Sequence, residues 1–241
     1  PPAAMAAGVP TAGRADSQTT DPPASRMASD VERQALPPRP LGPGDPLGVR
    51  ADFPIVRDRC YLNSAYIGPV PHQVMTAGRA FVESKALSPI DLYDMLQKAD
   101  EVRAQFARLI NAGADEIGFL FSTSEGENVV ANGLEWRAGD NVVIDELHYE
   151  TEFVLYRHLQ ETRGVEMRVA KHRSGRLGIS DFEPLVDRRT RLVSVAWVSH
   201  QNGFRHEMRP LADLAHRFGA LFYSDASQAV GMCRGGVVAA R

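Results

Sequence analysis

The sequence has few cysteines, few lysines, no long apolar run and no excess of either charge. Only Cys60 and Cys233 occur in 241 residues. One pair cannot staple a chain of this size, so the fold must rest on a buried core. The count matches a reduced cytoplasmic protein, and that is the location the sequence predicts. No Cys-x-x-Cys pair or His/Cys cluster has the spacing of a zinc site. No apolar run approaches the roughly 20 residues that cross a bilayer, so no membrane partner is expected. With 27 basic against 30 acidic residues the net charge is −3, which leaves no electrostatic footprint for nucleic acid. What remains is ordinary for a globular chain. With 44% hydrophobic and 24% charged residues there is material for one sizeable core or two smaller domains.

Residues 1–50 are rich in Pro, Ala, Gly, Ser and Arg, as in TTDPPASR and ALPPRPLGPGDPLG. Apolar residues do not recur there with any period. Such a segment cannot bury enough surface to offset chain entropy, and it is expected to be a disordered tail. It also lacks the apolar block of roughly 7–15 residues that marks a secretory signal. The chain opens on Pro1 rather than methionine, and is expected to be incomplete at that end.

After residue 50 the pattern changes. CYLNSAYIGPVP (60–71) reads as an extended segment turned at Gly68-Pro69, followed by a helix over 72–86. A second helix starts near Asp91. Leu92, Leu96, Ala99, Val102, Phe106 and Leu109 recur at three or four positions, which predicts one buried face. From there strands and helices alternate. Strands are predicted at 116–121, 141–146, 165–170, 191–199 and 220–225, and helices at 124–136, 150–162, 181–186 and 209–219. This alternation implies right-handed crossovers and a mostly parallel sheet between helical layers, an α/β fold in three layers, α/β/α. The expected division is a tail over 1–50, an N-terminal arm with helices over 51–114, and a ligand-binding domain over 115–241.

In open sheets of this kind ligands bind outside the carboxyl ends of the strands. After the first predicted strand comes STSEGEN, where Ser124 and Glu127 have capping-box spacing. The segment is either a well-capped helix or an anion site, in which the first amides and the hydroxyls of Thr123 and Ser124 hold a phosphate. After the second, Tyr149 is either packed on the sheet rim or a stacking platform for a flat ring. His148 reads as structural or solvated. After the long strand comes SHQNGFR. Asn202 either supports a turn before Gly203 or donates to a ligand oxygen, and His200 is a possible acid–base group. His72, His158, His172, His206 and His216 read as surface or helix-face residues. After the last strand, Asp225 either caps a turn or pairs with a cation, since a carboxylate at a buried strand end is costly alone.

Taken together, YLNSAYIGPVP, TSEGEN, SHQNGFR and YSDASQAVG resemble the class V aminotransferases of fold type I, over about residues 53–232. The resemblance implies the large domain of that fold and pyridoxal 5′-phosphate as cofactor. It assigns the phosphate to Thr123 and Ser124, the ring face to Tyr149, the ring oxygen to Asn202 and Gln228, and the ring nitrogen to Asp225. Asn63 lies in the arm that approaches the site in relatives, with no role fixed. The implied substrate is a small amino acid, handled by transamination or by the C–S chemistry of cysteine desulfurases and selenocysteine lyases, and the implied assembly is a homodimer.

The family's covalent lysine lies roughly two dozen residues beyond this aspartate. Here only Lys85, Lys98 and Lys171 occur, and none follows Asp225. No catalytic residue is therefore assigned. The chain is expected to be a fragment or a truncated product, inactive alone and poorly soluble because its sheet would end on an unpaired edge. A nucleotide-binding Rossmann domain is the weaker reading, because STSEGEN lacks the G-x-G-x-x-G pattern. A non-catalytic remnant is the third.

Overall fold

A computed structural model of the chain describes residues 44–233. Residues 1–43 of the tail expected over 1–50, and the ending after Cys233, lie outside the described residues. The described residues fall into two compact units, one up to Ile90 and one from Asp91 onward. Cys60 and Cys233 are both free thiols. Among the described residues no helix is long and apolar enough to cross a membrane.

The first unit is built from turns and one helix. The Asp45 carboxylate accepts from the amides of Val49 and Arg50 at 3.0 and 3.1 Å and so starts a short 3-10 turn. The arm turns at Asn63, whose carbonyl accepts from the amides of Tyr66 and Ile67. The turn thus precedes Gly68-Pro69, where the sequence pointed. Helix α1 (His72–Leu87) starts behind Pro71 and stops at Ser88, ahead of Pro89.

The second unit opens with α2 (Leu92–Ile110). Its N-cap Asp91 accepts from the amides of Tyr93 and Asp94, which satisfies two otherwise free donors. Its apolar stripe corrects the sequence expectation. Leu92, Leu96, Val102, Phe106 and Leu109 are exposed, and Ala107 is the buried residue of the helix. The 3.6-residue period fixes the helix but not what covers it.

Next comes α3 (Thr123–Gly133). Then follow β1 (Asn141–Asp145), α4 (Glu150–Arg163), β2 (Glu166–Ala170), α5 (Ile179–Phe182), β3 (Thr190–Ala196), α6 (Met208–Arg217) and β4 (Leu221–Asp225). Gly164, at φ 65°, takes the left-handed conformation that ends α4, and Gly219, at φ 78°, lets the chain turn from α6 into β4. Pro184 turns the end of α5 into a 3-10 turn over Glu183–Leu185.

All pairings between the four strands are parallel, in the order β2-β1-β3-β4. Both faces are covered. Val143, Val193 and Val195 pack with Phe182, Leu211 and Leu214 of α5 and α6 on one side. Val142, Ile144 and Leu192 pack with Ala131, Leu155, Tyr156 and Leu159 of α3 and α4 on the other. Burial on both faces is why β1 and β3 read as continuous apolar runs. The three-layer α/β/α architecture expected from the alternation is the one observed.

One predicted strand is absent. EIGFLF (116–121) forms no strand; a 3-10 turn covers Ala114–Glu116, and the segment beyond it is irregular. Phe119, Leu120 and Phe121 are exposed, Phe121 wholly so. A strand exists only beside a partner, and among the described residues none lies next to this segment. The apolar composition was read correctly and the missing neighbour could not be.

Candidate functional site

The strand order reverses between β1 and β3: β2 lies on one side of β1, and β3 and β4 on the other. Beyond the carboxyl ends at such a reversal the crossovers diverge and leave a crevice. The segments reaching it are the start of α3, the loop from Asp145 to Tyr149, the turn after β3 and the turn after β4.

Helix α3 begins two residues earlier than the capping-box spacing of Ser124 and Glu127 implied. Its N-cap is Ser122, whose hydroxyl accepts from the Glu125 amide at 3.1 Å, while Glu125 Oε2 accepts from the Phe121 amide at 2.7 Å. This places Thr123 and Ser124 in the first turn, where amides lack intrahelical acceptors. Glu125 reaches back to the Phe121 amide as a cap at the helix start, while Glu127 is buried. Thr123 Oγ1 lies 3.1 Å from Ser227 Oγ, and the Ser124 hydroxyl donates to Thr151 Oγ1 at 3.1 Å. Four hydroxyls and the end of a helix dipole therefore gather at one place, which is what an anion needs.

His148 is fully buried rather than solvated. Its Nδ1 accepts from the Tyr149 amide at 2.8 Å, so the proton of the neutral ring sits on Nε2 and is donated to Ser194 Oγ at 3.0 Å. Burial pushes this imidazole below its ordinary pKa, against the pull of Glu127, Asp145 and Asp225. His206 is also buried, a correction to its surface reading, with Nε2 3.4 Å from Asp145 Oδ2. Tyr149 stands half-exposed at the start of α4, edge-on to His200 with ring centroids 4.9 Å apart. His200 Nε2 lies 3.3 Å from Glu150 Oε1.

Asn202 is placed elsewhere. Its amide donates to the Gly175 carbonyl at 2.9 Å and its oxygen accepts from the Phe204 amide at 2.9 Å. That geometry belongs to a turn, helped by Gly203 at φ 71°. The residue of this loop that meets Tyr149 is His200. Asp225 is half-buried at the end of β4, its Oδ1 accepting from the Ser227 amide at 2.9 Å. Its charge acts on His148, Glu152 and Tyr223. Gln228 is half-buried in the turn that follows. Thr123, Ser124, Asp225 and the loop carrying Tyr149 thus converge, while Asn63 belongs to the other unit.

Sequence reasoning passed over Ser227, Thr151 and a buried acid pair. Glu127 and Glu152 are both inaccessible to solvent. Glu127 Oε1 accepts from Ser194 Oγ at 2.6 Å and from the Tyr156 hydroxyl, and Glu152 Oε1 accepts from Thr151 Oγ1 at 3.2 Å. Burial, with a hydrogen bond and repulsion from Glu127, pushes the Glu152 carboxyl up to about 9. The spacing held the signal: Glu152 precedes buried Leu155, Tyr156 and Leu159 on one stripe of α4, and Glu127 precedes buried Ala131 on α3.

A cavity of about 630 Å³ lies elsewhere, along α5 and α6, and the converging residues form an open shelf. Among the described residues no group of His, Cys, Asp and Glu is placed to hold a metal ion.

The family model for aminotransferase class-V matches residues 60–235. A probable cysteine desulfurase from Methanothermobacter thermautotrophicus is 38% identical over 191 residues, covering 76% of this chain and 47% of that protein. A cysteine desulfurase from Salmonella newport is 36% identical over 200 residues, with 76% and 49% covered. Among solved structures, the cysteine desulfurase CsdA of Escherichia coli superposes with a TM-score of 0.71 at 22% identity, over 79% of this chain and 51% of that one. The apo cysteine desulfurase of Thermococcus onnurineus NA1 gives 0.66 at 26% identity, over 78% and 48%. The chain spans about half the length of the curated relatives it matches.

Proposed function

The chain belongs to the aminotransferase class-V family, and from that premise we propose that the shelf at its strand ends binds pyridoxal 5′-phosphate for chemistry on a small amino acid. The reaction class we favour is the C–S bond cleavage of cysteine desulfurases, because the curated relatives above carry that name. Transamination is the broader alternative within the family. We further propose a homodimer in the cytoplasm as the working form.

The observation that carries the proposal is Asp225. It is a half-buried carboxylate at a parallel strand end, and among the described residues no lysine or arginine forms an ion pair with it. A carboxylate so placed calls for a cationic partner, and a protonated pyridine nitrogen is one. Ser227 links the two halves of the site: its amide holds Asp225 and its hydroxyl meets Thr123 at the anion-binding end of α3.

Each side chain then has a task. The first amides of α3 and the Thr123 hydroxyl would donate to a phosphate, and Ser124 would do so by turning its proton away from Thr151, which itself donates to Glu152. Asp225 keeps the ring nitrogen protonated. Tyr149 offers a ring face, steadied by His200. His148 stays neutral and, through its bonds to the Tyr149 amide and Ser194, fixes the loop that carries Tyr149. When bound, the cofactor supplies an electron sink for bonds broken at the amino acid. Covalent attachment needs a lysine in the right place, and the sequence has none after Asp225.

Titration of this polypeptide with pyridoxamine 5′-phosphate, followed by ligand fluorescence, tests the proposal. That analogue has no aldehyde and cannot react with surface lysines. Saturable binding that Asp225→Ala weakens about tenfold or more is expected; binding unchanged by that substitution would rule the reading out.

A further inference from the structure

Two buried acids stand below the shelf, and the family resemblance gives neither a role. Glu127 comes from α3 and Glu152 from α4; Glu127 accepts from the Tyr156 hydroxyl, one turn beyond Glu152 on the same buried stripe of α4, and the two acids repel each other. Glu127 Oε1 has two donors, the hydroxyls of Ser194 and Tyr156. Glu127 Oε2 is buried and has no donor as long as both acids are ionised. Two adjacent carboxylates cannot both stay charged out of water, and a single proton between them removes the repulsion. The same proton gives Glu127 Oε2 its missing donor. The assignment follows from the partners: Glu127 already accepts two hydroxyls, as a carboxylate does, so the proton resides mainly on Glu152.

The pair is wired to the shelf. Glu152 Oε1 accepts from Thr151, and Thr151 accepts from Ser124 in the first turn of α3. On the other side, Ser194 passes from Glu127 to His148, whose Nδ1 holds the Tyr149 amide. The groups facing Glu152 are Glu127 on α3, Tyr156 on its own helix, Thr151 before it, and Tyr223 and Asp225 on β4. Burial holds the His148 imidazole below its ordinary pKa, so it does not offset a second negative charge.

We propose that Glu127 and Glu152 share one buried proton and that Glu152, through Thr151 and Ser124, makes anion binding at the start of α3 depend on that proton. Glu152 is a positioning residue: it touches neither ligand nor reacting atoms. With the proton in place the pair carries one charge and Glu152 is the weaker acceptor for Thr151, which leaves the Ser124 proton freer to turn to the anion. Loss of the proton puts a second negative charge two hydrogen bonds from Ser124, at the anion-binding end of α3. The inference rests on the reading of this shelf as a phosphate-binding site.

The test compares wild type with Glu152→Gln, which is neutral at every pH and still donates to Glu127. Affinity for pyridoxamine 5′-phosphate is measured at about pH 7 and about pH 10 in both. Titration of the ligand itself is common to the two proteins and cancels. Wild type is expected to lose about tenfold more affinity than Glu152→Gln across that interval. Binding at neutral pH with equal losses in both proteins would overturn this inference and leave the cofactor site standing. No binding by either protein would overturn the reading of the site, and this inference with it. Infrared difference spectra judge the proton separately. A buried carboxylic-acid carbonyl band in wild type at neutral pH, absent from Glu152→Gln, supports the shared proton. No such band in wild type refutes it. If Glu152→Gln fails to fold, Thr151→Val cuts the wire, and it is expected to flatten the pH dependence of binding while keeping the infrared band; an unchanged pH dependence would refute the coupling.

Discussion

Thr123 and Ser227 are separated by 104 residues, yet their hydroxyl oxygens lie 3.1 Å apart. The contact ties the first turn of α3 to the turn after β4. The two segments lie before β1 and after β4, and the parallel order β2-β1-β3-β4 brings them side by side. Because Ser227 also holds Asp225 through its amide, the anion-binding end and the carboxylate share one short connection.

Asp225→Asn keeps the shape of the side chain and removes its charge. A charge-assisted bond in a partly shielded site is worth about 1.5–3 kcal/mol, roughly one to two decades in affinity. The affinity for pyridoxamine 5′-phosphate is expected to fall by that much while the thermal midpoint stays close to wild type, since Asp225 is only half-buried. Calorimetric titration with a parallel melt measures both.

Thr123→Val and Ser124→Ala remove donors from the phosphate end alone. Each is expected to weaken pyridoxamine 5′-phosphate binding about threefold to tenfold. Affinity for pyridoxamine, which lacks the phosphate, is expected to be unaffected by either. Equal losses for both ligands would move the phosphate away from α3.

The pH dependence of stability carries a sign. The Glu152 carboxyl sits near 9 when folded, against an ordinary 4.5. The folded chain therefore keeps a proton that the unfolded chain has lost. The contribution is fully present below pH 4.5 and drains away as pH rises through about 9. Glu146, Glu166 and Asp187 run the other way, held down by Lys171 and Arg168, but their window lies below the ordinary carboxylate range. Urea unfolding of wild type between about pH 5 and 8 is expected to lose up to about 1.4 kcal/mol per pH unit, a slope that Glu152→Gln abolishes. A parallel profile in the two proteins would place the buried proton elsewhere.

Much of this architecture was legible because its signals are local. The apolar runs of β1 and β3, Gly164 after α4, and Pro210 inside the first turn of α6 each fix an element with no knowledge of its neighbours. The site was half legible for the same reason. Asp225 follows from being a carboxylate at a strand end, and Thr123 and Ser124 from lying at a helix start. Asn202 and His200 were harder to rank. They sit two apart in one loop, and only the fold shows the Asn202 amide held by Gly175 and Phe204 while His200 meets Tyr149. Glu127 reads as a capping-box acid and Glu152 carries no signal of its own unless the buried stripe is traced through them.

The segment ending in Phe121 is where local signal and tertiary context disagree most. Phe119, Leu120 and Phe121 carry the composition of a strand and the exposure of a loop. Exposed apolar runs of this kind promote association between chains. The Phe121 side chain is fully exposed, so Phe121→Ser gives up no buried area and is expected to change the unfolding free energy by no more than about 0.5 kcal/mol. The same substitution is expected to raise the concentration at which the polypeptide aggregates, as read by light scattering across a dilution series. Ser122 and Glu125 would still cap α3, because Glu125 Oε2 accepts from the backbone amide of residue 121 and not from its ring. A loss of stability near 2 kcal/mol would show instead that the ring is covered in solution.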